Sequence, residues 1–146
     1  MTSIIPEIKI SYKIESTEAP VLSGATDTYK LLLNLFDRDT IELKEDAFCL
    51  YLNKGNRVLG WHKISSGGIA GTVIDIKIVL GIALKSAASA IILSHNHPSG
   101  RISPSIQDKE MTNKLKDAAR LMDICLVDHM IVHPSGYFSF AEEGLL

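Results

Sequence analysis

Ile91-Ile92-Leu93-Ser94-His95-Asn96-His97-Pro98-Ser99-Gly100, continued by Arg101-Ile102-Ser103-Pro104-Ser105-Ile106-Gln107-Asp108, is the stretch around which the chain is organised. An apolar run ends in two histidines one residue apart. A Pro/Ser/Gly-rich turn follows, and a helix then opens on Ser105 with Asp108 in its first turn. In a strand, residues i and i+2 point to one face, so His95 and His97 emerge together and Asn96 faces the other way. Asp108, Met111 and Leu115 share a helix face, which places Asp108 at the helix end nearest the histidines if that face packs on the sheet. Two imidazoles, one carboxylate and an open position for water make a catalytic rather than a structural zinc pattern, because structural sites are usually closed by four protein ligands.

Each part also has a plainer explanation. Ser-x-x-Asp opening a helix is a capping signature, and histidines at strand ends often only hydrogen-bond. The combination of paired histidines, a loop of suitable length and Ser plus Asp on one helix face favours the metal.

The 146 residues suffice for one domain with a substantial core. Hydrophobic residues make up 46% and charged residues 22%, a globular balance that excludes a disordered tail. A net charge of −2 without a Lys/Arg run gives no nucleic-acid footprint. Cys49 and Cys125 lie far apart in apolar runs and fit neither a CxxC zinc pattern nor a disulfide framework, so both are expected to be buried free thiols. The start has no basic n-region or long apolar h-region, and no apolar stretch could span a bilayer. A soluble, cytoplasmic, single-domain protein without a membrane partner is expected.

Along the chain, Ile8, Ile10, Tyr12 and Ile14 alternate with polar residues and predict a half-buried strand. Glu15 to Gly24 reads as a loop. A helix is predicted from an N-cap at Thr26 or Asp27 to about Asp37, with Tyr29, Leu32, Leu33 and Phe36 at helical spacing. Ala47 to Leu52 is β-compatible, and Asn53-Lys54-Gly55-Asn56 predicts a hairpin turn into Arg57 to Ile64, broken at Ser65-Ser66-Gly67-Gly68. A second helix fits Asp75 to Ala88, with Asp75 as cap and Ile76, Val79, Leu80, Ala83 and Leu84 as its apolar face. Ala90 to Leu93 predicts a buried central strand. The third helix runs from Ser105 to about Leu121 with Met111, Leu115, Ala118 and Met122 inward. Strands follow at Ile124 to Val132 and Tyr137 to Phe140. Alternating strands and helices predict an α/β class, a mixed sheet flanked by helices.

Hydrolysis at such a site needs a base beside the coordination shell, usually a carboxylate. Glu42, Glu45 and Asp46 all precede the Ala47–Leu52 strand, and spacing alone does not choose among them. Without the histidine pair they would read as a solvated acidic turn.

With these residues assembled, the chain resembles the RadC family of the JAB/MPN metalloprotease superfamily. The superfamily's JAMM signature is an upstream Glu, then H-x-H, seven residues, S, two residues and D. His95-Asn96-His97, the seven residues Pro98 to Pro104, Ser105 and Asp108 match it without a gap. The RadC form adds His-Asn-His-Pro-Ser-Gly, present at 95–100, and Asp-His before an apolar strand, present as Asp128-His129-Met130-Ile131-Val132. Ser66-Gly67-Gly68 and the ending Gly136-Tyr137-Phe138-Ser139-Phe140 also fit, and the likeness extends from about Ser23 to Leu146.

The resemblance implies a three-layer JAB/MPN (cytidine-deaminase-like) fold over 23–146, preceded by a short strand-like extension, 1–22, where RadC proteins often carry a helix-hairpin-helix region. It implies that His95, His97 and Asp108 hold Zn2+, that Ser105 steadies the water or the developing oxyanion, and that Glu45, counted back from Asn53, is the base. Asp128 and His129 receive no role from it beyond a structural or supporting contact. The implied activity is hydrolysis of a peptide or isopeptide amide in a protein substrate, with nucleic acid as a partner only through the family's association with DNA repair. The alternative class is a non-catalytic binding module for nucleic acid or protein. A histidine-triad nucleotide hydrolase needs a third alternating histidine where Ser99 stands, and zinc deaminase chemistry needs His-x-Glu and Cys-x-x-Cys, so both are excluded.

Overall fold

In the computed structural model, which describes every residue except Met1, Ile10, Tyr12, Glu15 and Thr17, the elements run α1 (Ala25–Leu33), β1 (Asp46–Leu52), β2 (Val58–Ser66), α2 (Ile76–Lys85), β3 (Ala90–His95), α3 (Ile106–Leu121), β4 (Cys125–His133) and β5 (Gly136–Ser139). The five strands form one mixed sheet in the order β2-β1-β3-β4-β5. The β3–β4 pair is parallel and the other pairs are antiparallel.

The central strands β1 and β3 are buried along their whole length because both faces are covered. Ala47, Cys49 and Tyr51 of β1 pack with Val79 and Ala83 of α2 and with Leu115 and Ala119 of α3. Phe48, Leu50 and Leu52 point the other way, against Leu32 and Leu33 of α1, Phe36 and Ile41. The result is three layers, with α2 and α3 on one face of the sheet and α1 on the other. A parallel pair needs a crossover, and α3 supplies it. The carboxyl end of β3 and the amino end of α3 therefore meet at one edge of the molecule.

Several sequence expectations need correction. Ile8 and Ile14 are exposed and belong to no strand, for no sheet edge takes them up. Their companions Ile10 and Tyr12 lie outside the described residues. The first helix starts after Gly24, which has no side-chain cap, so Thr26 and Asp27 lie within its first turn rather than capping it. It ends at Leu33, although Phe36 beyond it is still buried. Strand β2 runs on through Ser65 and Ser66 because both pair with β1.

Asp75 does cap α2, accepting a hydrogen bond from the Lys77 backbone N–H at 2.9 Å, while Leu84 turns out to be exposed. In α3 the inward stripe is Thr112, Leu115 and Ala119, and Met122 is exposed. Leu115 is buried as expected and Met111 packs against the core, while Thr112 and Ala119 complete the buried face. Cys49 is buried as expected, and burial pushes its thiol up to about 12. Cys125, at the first position of β4, is exposed instead.

This α3 face has a measurable consequence. Leu115→Ala, at a fully buried position, is expected to lower unfolding free energy by about 2–5 kcal/mol. Met122→Ala is expected to change it by less than about 0.5 kcal/mol. Urea titrations of the two variants distinguish this face from one running through Met122.

Candidate metal centre

The β3 strand delivers His95 at its last position, fully buried, and His97 two residues on, half-buried. Their Nε2 atoms face each other at 3.0 Å. Asp108 comes from the third position of α3. Its Oδ1 lies 3.3 Å from His95 Nε2 and its Oδ2 lies 3.2 Å from His97 Nε2. The capping box is also present. The Ser105 backbone N–H donates to Asp108 Oδ2 at 2.8 Å, and the Asp108 N–H donates to Ser105 Oγ at 3.0 Å. Capping and convergence on the histidines are thus one arrangement: the cap fixes the carboxylate that faces the rings. Ser105 is exposed and lines a depression shared with His97, Ser99, Arg101 and Pro104.

Register sorts the three upstream acids. Ala47 pairs with His95, so Glu45, two residues earlier, lies on the face that carries His95. Its Oε1 is 3.7 Å from His95 Nε2. Asp46 points away, buried and paired with Lys63 at 3.2 Å. Glu42 is exposed and meets His133, also at 3.2 Å. The side chain of the buried Asn96 holds the segment before β1 in place. Its amide donates to the carbonyls of Ile41 (2.7 Å) and Lys44 (2.9 Å) and accepts from the Asp46 N–H (2.8 Å).

On its other side, Glu45 exchanges backbone hydrogen bonds with the glycine turn, Gly67 N–H to Glu45 O at 2.7 Å and Glu45 N–H to Gly68 O at 3.1 Å. A Cβ on Gly67 would sit 2.0 Å from the Gly71 carbonyl oxygen, so only glycine fits there.

The electrostatics separate the two carboxylates. Burial pushes the Asp108 carboxyl up, but hydrogen-bonding contact with His95 and His97 outweighs it and holds the group well below the usual carboxylate range. For Glu45 burial wins over the nearby imidazoles, and the pKa is raised. His97 is raised too, by Asp108 first of all.

The far sides of both rings are occupied. His97 Nδ1–H donates to the Arg101 carbonyl at 2.7 Å, so in the neutral ring the lone pair lies on Nε2. His95 Nδ1 lies 2.7 Å from Nε2 of the buried His129. Lone pairs and carboxylate oxygens thus converge, an arrangement that attracts a cation. Glu45, His95 and His97 also form a group whose donor atoms lie within 4.8 Å of one another and could hold a metal ion.

The pattern of residues 22–145 matches the RadC-like JAB domain family. The chain belongs to that family. It is 36% identical over 145 residues to a UPF0758 protein of Porphyromonas gingivalis, covering 99% of this chain and 64% of the relative. A UPF0758 protein of Flavobacterium johnsoniae is 42% identical over 101 residues, 69% of this chain and 44% of the relative. One from Aquifex aeolicus is 38% identical over 120 residues, 82% and 50% respectively. The chain thus spans about half to two thirds of the length of these relatives. Among the described residues, no helix is long and apolar enough to cross a membrane.

Asn96, His129 and, through a 2.6 Å contact with His129 Nδ1, Thr112 all support the site; sequence reasoning expected of His129 only a structural or supporting contact and assigned the other two no part. Asn96 lay in plain view between the histidines, whereas Thr112 carried no signal at all. His129 is re-aimed by a β-bulge. Ile91 pairs with Leu126 and Ile92 with Asp128, so Val127 is skipped. Leu126 therefore lies in the α3-side core while Met130 and Val132 lie in the α1-side core, and His129 turns towards His95. Asp128 goes the other way. It accepts from the Ser139 hydroxyl and the Ala141 N–H, tying down the end of the chain.

Asn96→Ala is expected to leave two carbonyls and one N–H without their partner and to cost about 2–4 kcal/mol of stability. If denaturant unfolding shows a change below about 0.5 kcal/mol, Asn96 does not hold the Glu45 segment.

Proposed function

We propose that the chain is a zinc-dependent hydrolase of amide bonds, in a peptide or isopeptide linkage, within the RadC-like JAB family. The observation that carries this is the convergence of two imidazole Nε2 atoms and the Asp108 carboxylate beside a second carboxylate of different proton affinity. Nitrogen and oxygen donors of this kind suit zinc. His95, His97 and Asp108 would hold the ion, each already oriented by a contact on its far side. When bound, the ion supplies Lewis-acid polarisation of the scissile carbonyl and acidifies the attacking water.

Glu45 is the base. It stands close enough to both histidines to ligate an ion itself, but its contact with His95 is longer than that of Asp108, and burial raises its proton affinity. Asp108 is shifted in the opposite direction. Two neighbouring carboxyls with proton affinities pushed apart mark one for charge and one for proton transfer. Glu45 takes the proton of the water and returns it to the leaving amine. The Ser105 oxygen accepts its cap bond from Asp108 N–H, which leaves the hydroxyl proton free to meet the developing oxyanion. Open depressions lie beside Glu45, along Ser65 to Gly67 and Ala70 to Val73, and beside His97. An extended chain entering at one and leaving at the other is the substrate form that this supports.

Equilibrium dialysis against zinc chloride with metal analysis should give about one zinc per chain, lost in His97→Ala. Glu45→Gln should keep the zinc and lose about 10²–10⁴-fold in cleavage of a fluorogenic peptide library. Failure to take up zinc, together with salt-dependent DNA binding that survives removal of His95 and His97, would replace this reading with that of a binding module.

A further inference from the structure

We infer that Thr112 and His129 form a one-way hydrogen-bond chain that fixes which nitrogen of His95 carries its proton, and so keeps His95 Nε2 open for the metal. The inference rests on the proposed metal site, and makes both residues positioning residues for it.

The direction of the chain follows from its far end. The Thr112 hydroxyl lies 2.6 Å from the backbone carbonyl oxygen of Asp108 and donates to it. A carbonyl oxygen has no proton to offer, so the hydroxyl proton is committed there. Thr112 Oγ1 also lies 2.6 Å from His129 Nδ1. Having spent its only proton, the oxygen can only accept, so His129 carries its proton on Nδ1. A neutral imidazole has one N–H, and His129 Nε2 is therefore an acceptor. That nitrogen lies 2.7 Å from His95 Nδ1, which must supply the proton for this contact. With its proton on Nδ1, a neutral His95 has its lone pair on Nε2, the atom that faces His97 and Asp108.

The opposite direction is disfavoured. If Thr112 donated to His129, two lone pairs would face each other 2.6 Å apart between Thr112 Oγ1 and the Asp108 carbonyl, with no proton between them. His129 is fully buried and stacked on Phe140, with centroids 4.6 Å apart and planes 12° apart, so its ring cannot turn over, which would put carbons where the nitrogens stand, without disturbing that packing. The chain also closes on the site: the carbonyl that fixes its direction belongs to Asp108, whose carboxylate faces both histidines. His97 reaches the same tautomer by a direct bond to the Arg101 carbonyl.

Thr112→Val removes the hydroxyl at nearly constant volume, Thr112→Ser restores it, and His129→Phe keeps a ring against Phe140 while removing both nitrogens. In the metal-free protein, long-range 1H–15N correlation of the imidazoles should show the His129 proton on Nδ1 in wild type and in Thr112→Ser. In Thr112→Val it should move wholly or partly to Nε2. Zinc affinity, measured by competition with a chromophoric chelator, should fall about 10–100-fold in Thr112→Val and His129→Phe and stay close to wild type in Thr112→Ser. Circular dichroism melts establish that each variant is folded. A His129 proton on Nε2 in the wild type overturns the inference, as does a Thr112→Val protein with unchanged tautomer and unchanged zinc affinity. If the wild type takes up no zinc, the proposed function fails, and the tautomer of His129 still decides the direction of the chain.

Discussion

Two imidazole nitrogens held 3.0 Å apart, with carboxylate oxygens at 3.2 and 3.3 Å, are the arrangement on which the rest of this molecule depends. Such a cluster of acceptors repels itself unless a positive charge lies among them, so the surrounding fold has to hold it together. It does so from several directions. The capping box fixes Asp108, the Arg101 carbonyl fixes His97, and the buried His129 and Thr112 fix His95. Together they remove the freedom by which the side chains could separate.

The same economy appears in how elements are shared. Asp108 is at once a helix cap, a partner of both rings and, through its carbonyl, the end of the Thr112 hydrogen bond. Asn96 sits between the histidines but faces the opposite side of the strand, where it ties down residues 41–46 and thereby sets the position of Glu45. The parallel β3–α3–β4 crossover brings these pieces to one edge, because the loop leaving β3 and the start of α3 must meet there.

Much of this was legible in the sequence, and the reason is locality. The strand repeat of two places His95 and His97 on one side whatever the tertiary context, and Ser-x-x-Asp closes its own cap within a single turn of α3. The alternation of apolar strands with amphipathic helices likewise suffices for the α/β class and for the buried central strand. Where local pattern was the only guide and no partner followed, it misled. The alternating Ile8 and Ile14 are exposed, and the apolar Met122 does not mark the inward face of α3.

What only the tertiary structure decided are the relations between distant segments. Glu42, Glu45 and Asp46 are equivalent as a string of acids. The antiparallel register of β1 on β3 separates them by turning Glu45 to His95 and Asp46 to Lys63. A single bulged residue, Val127, reverses the faces of Asp128 and His129 and brings His129 into the site, which no strict period could show. Thr112 acquires its part solely because α3 lays it against that histidine. The sequence by itself determined the donors that lie close together along the chain. The carboxylate about fifty residues upstream, and the hydrogen-bond chain behind His95, depend on strand register and helix rotation, which are set by packing between elements and not by the spacing within any one of them.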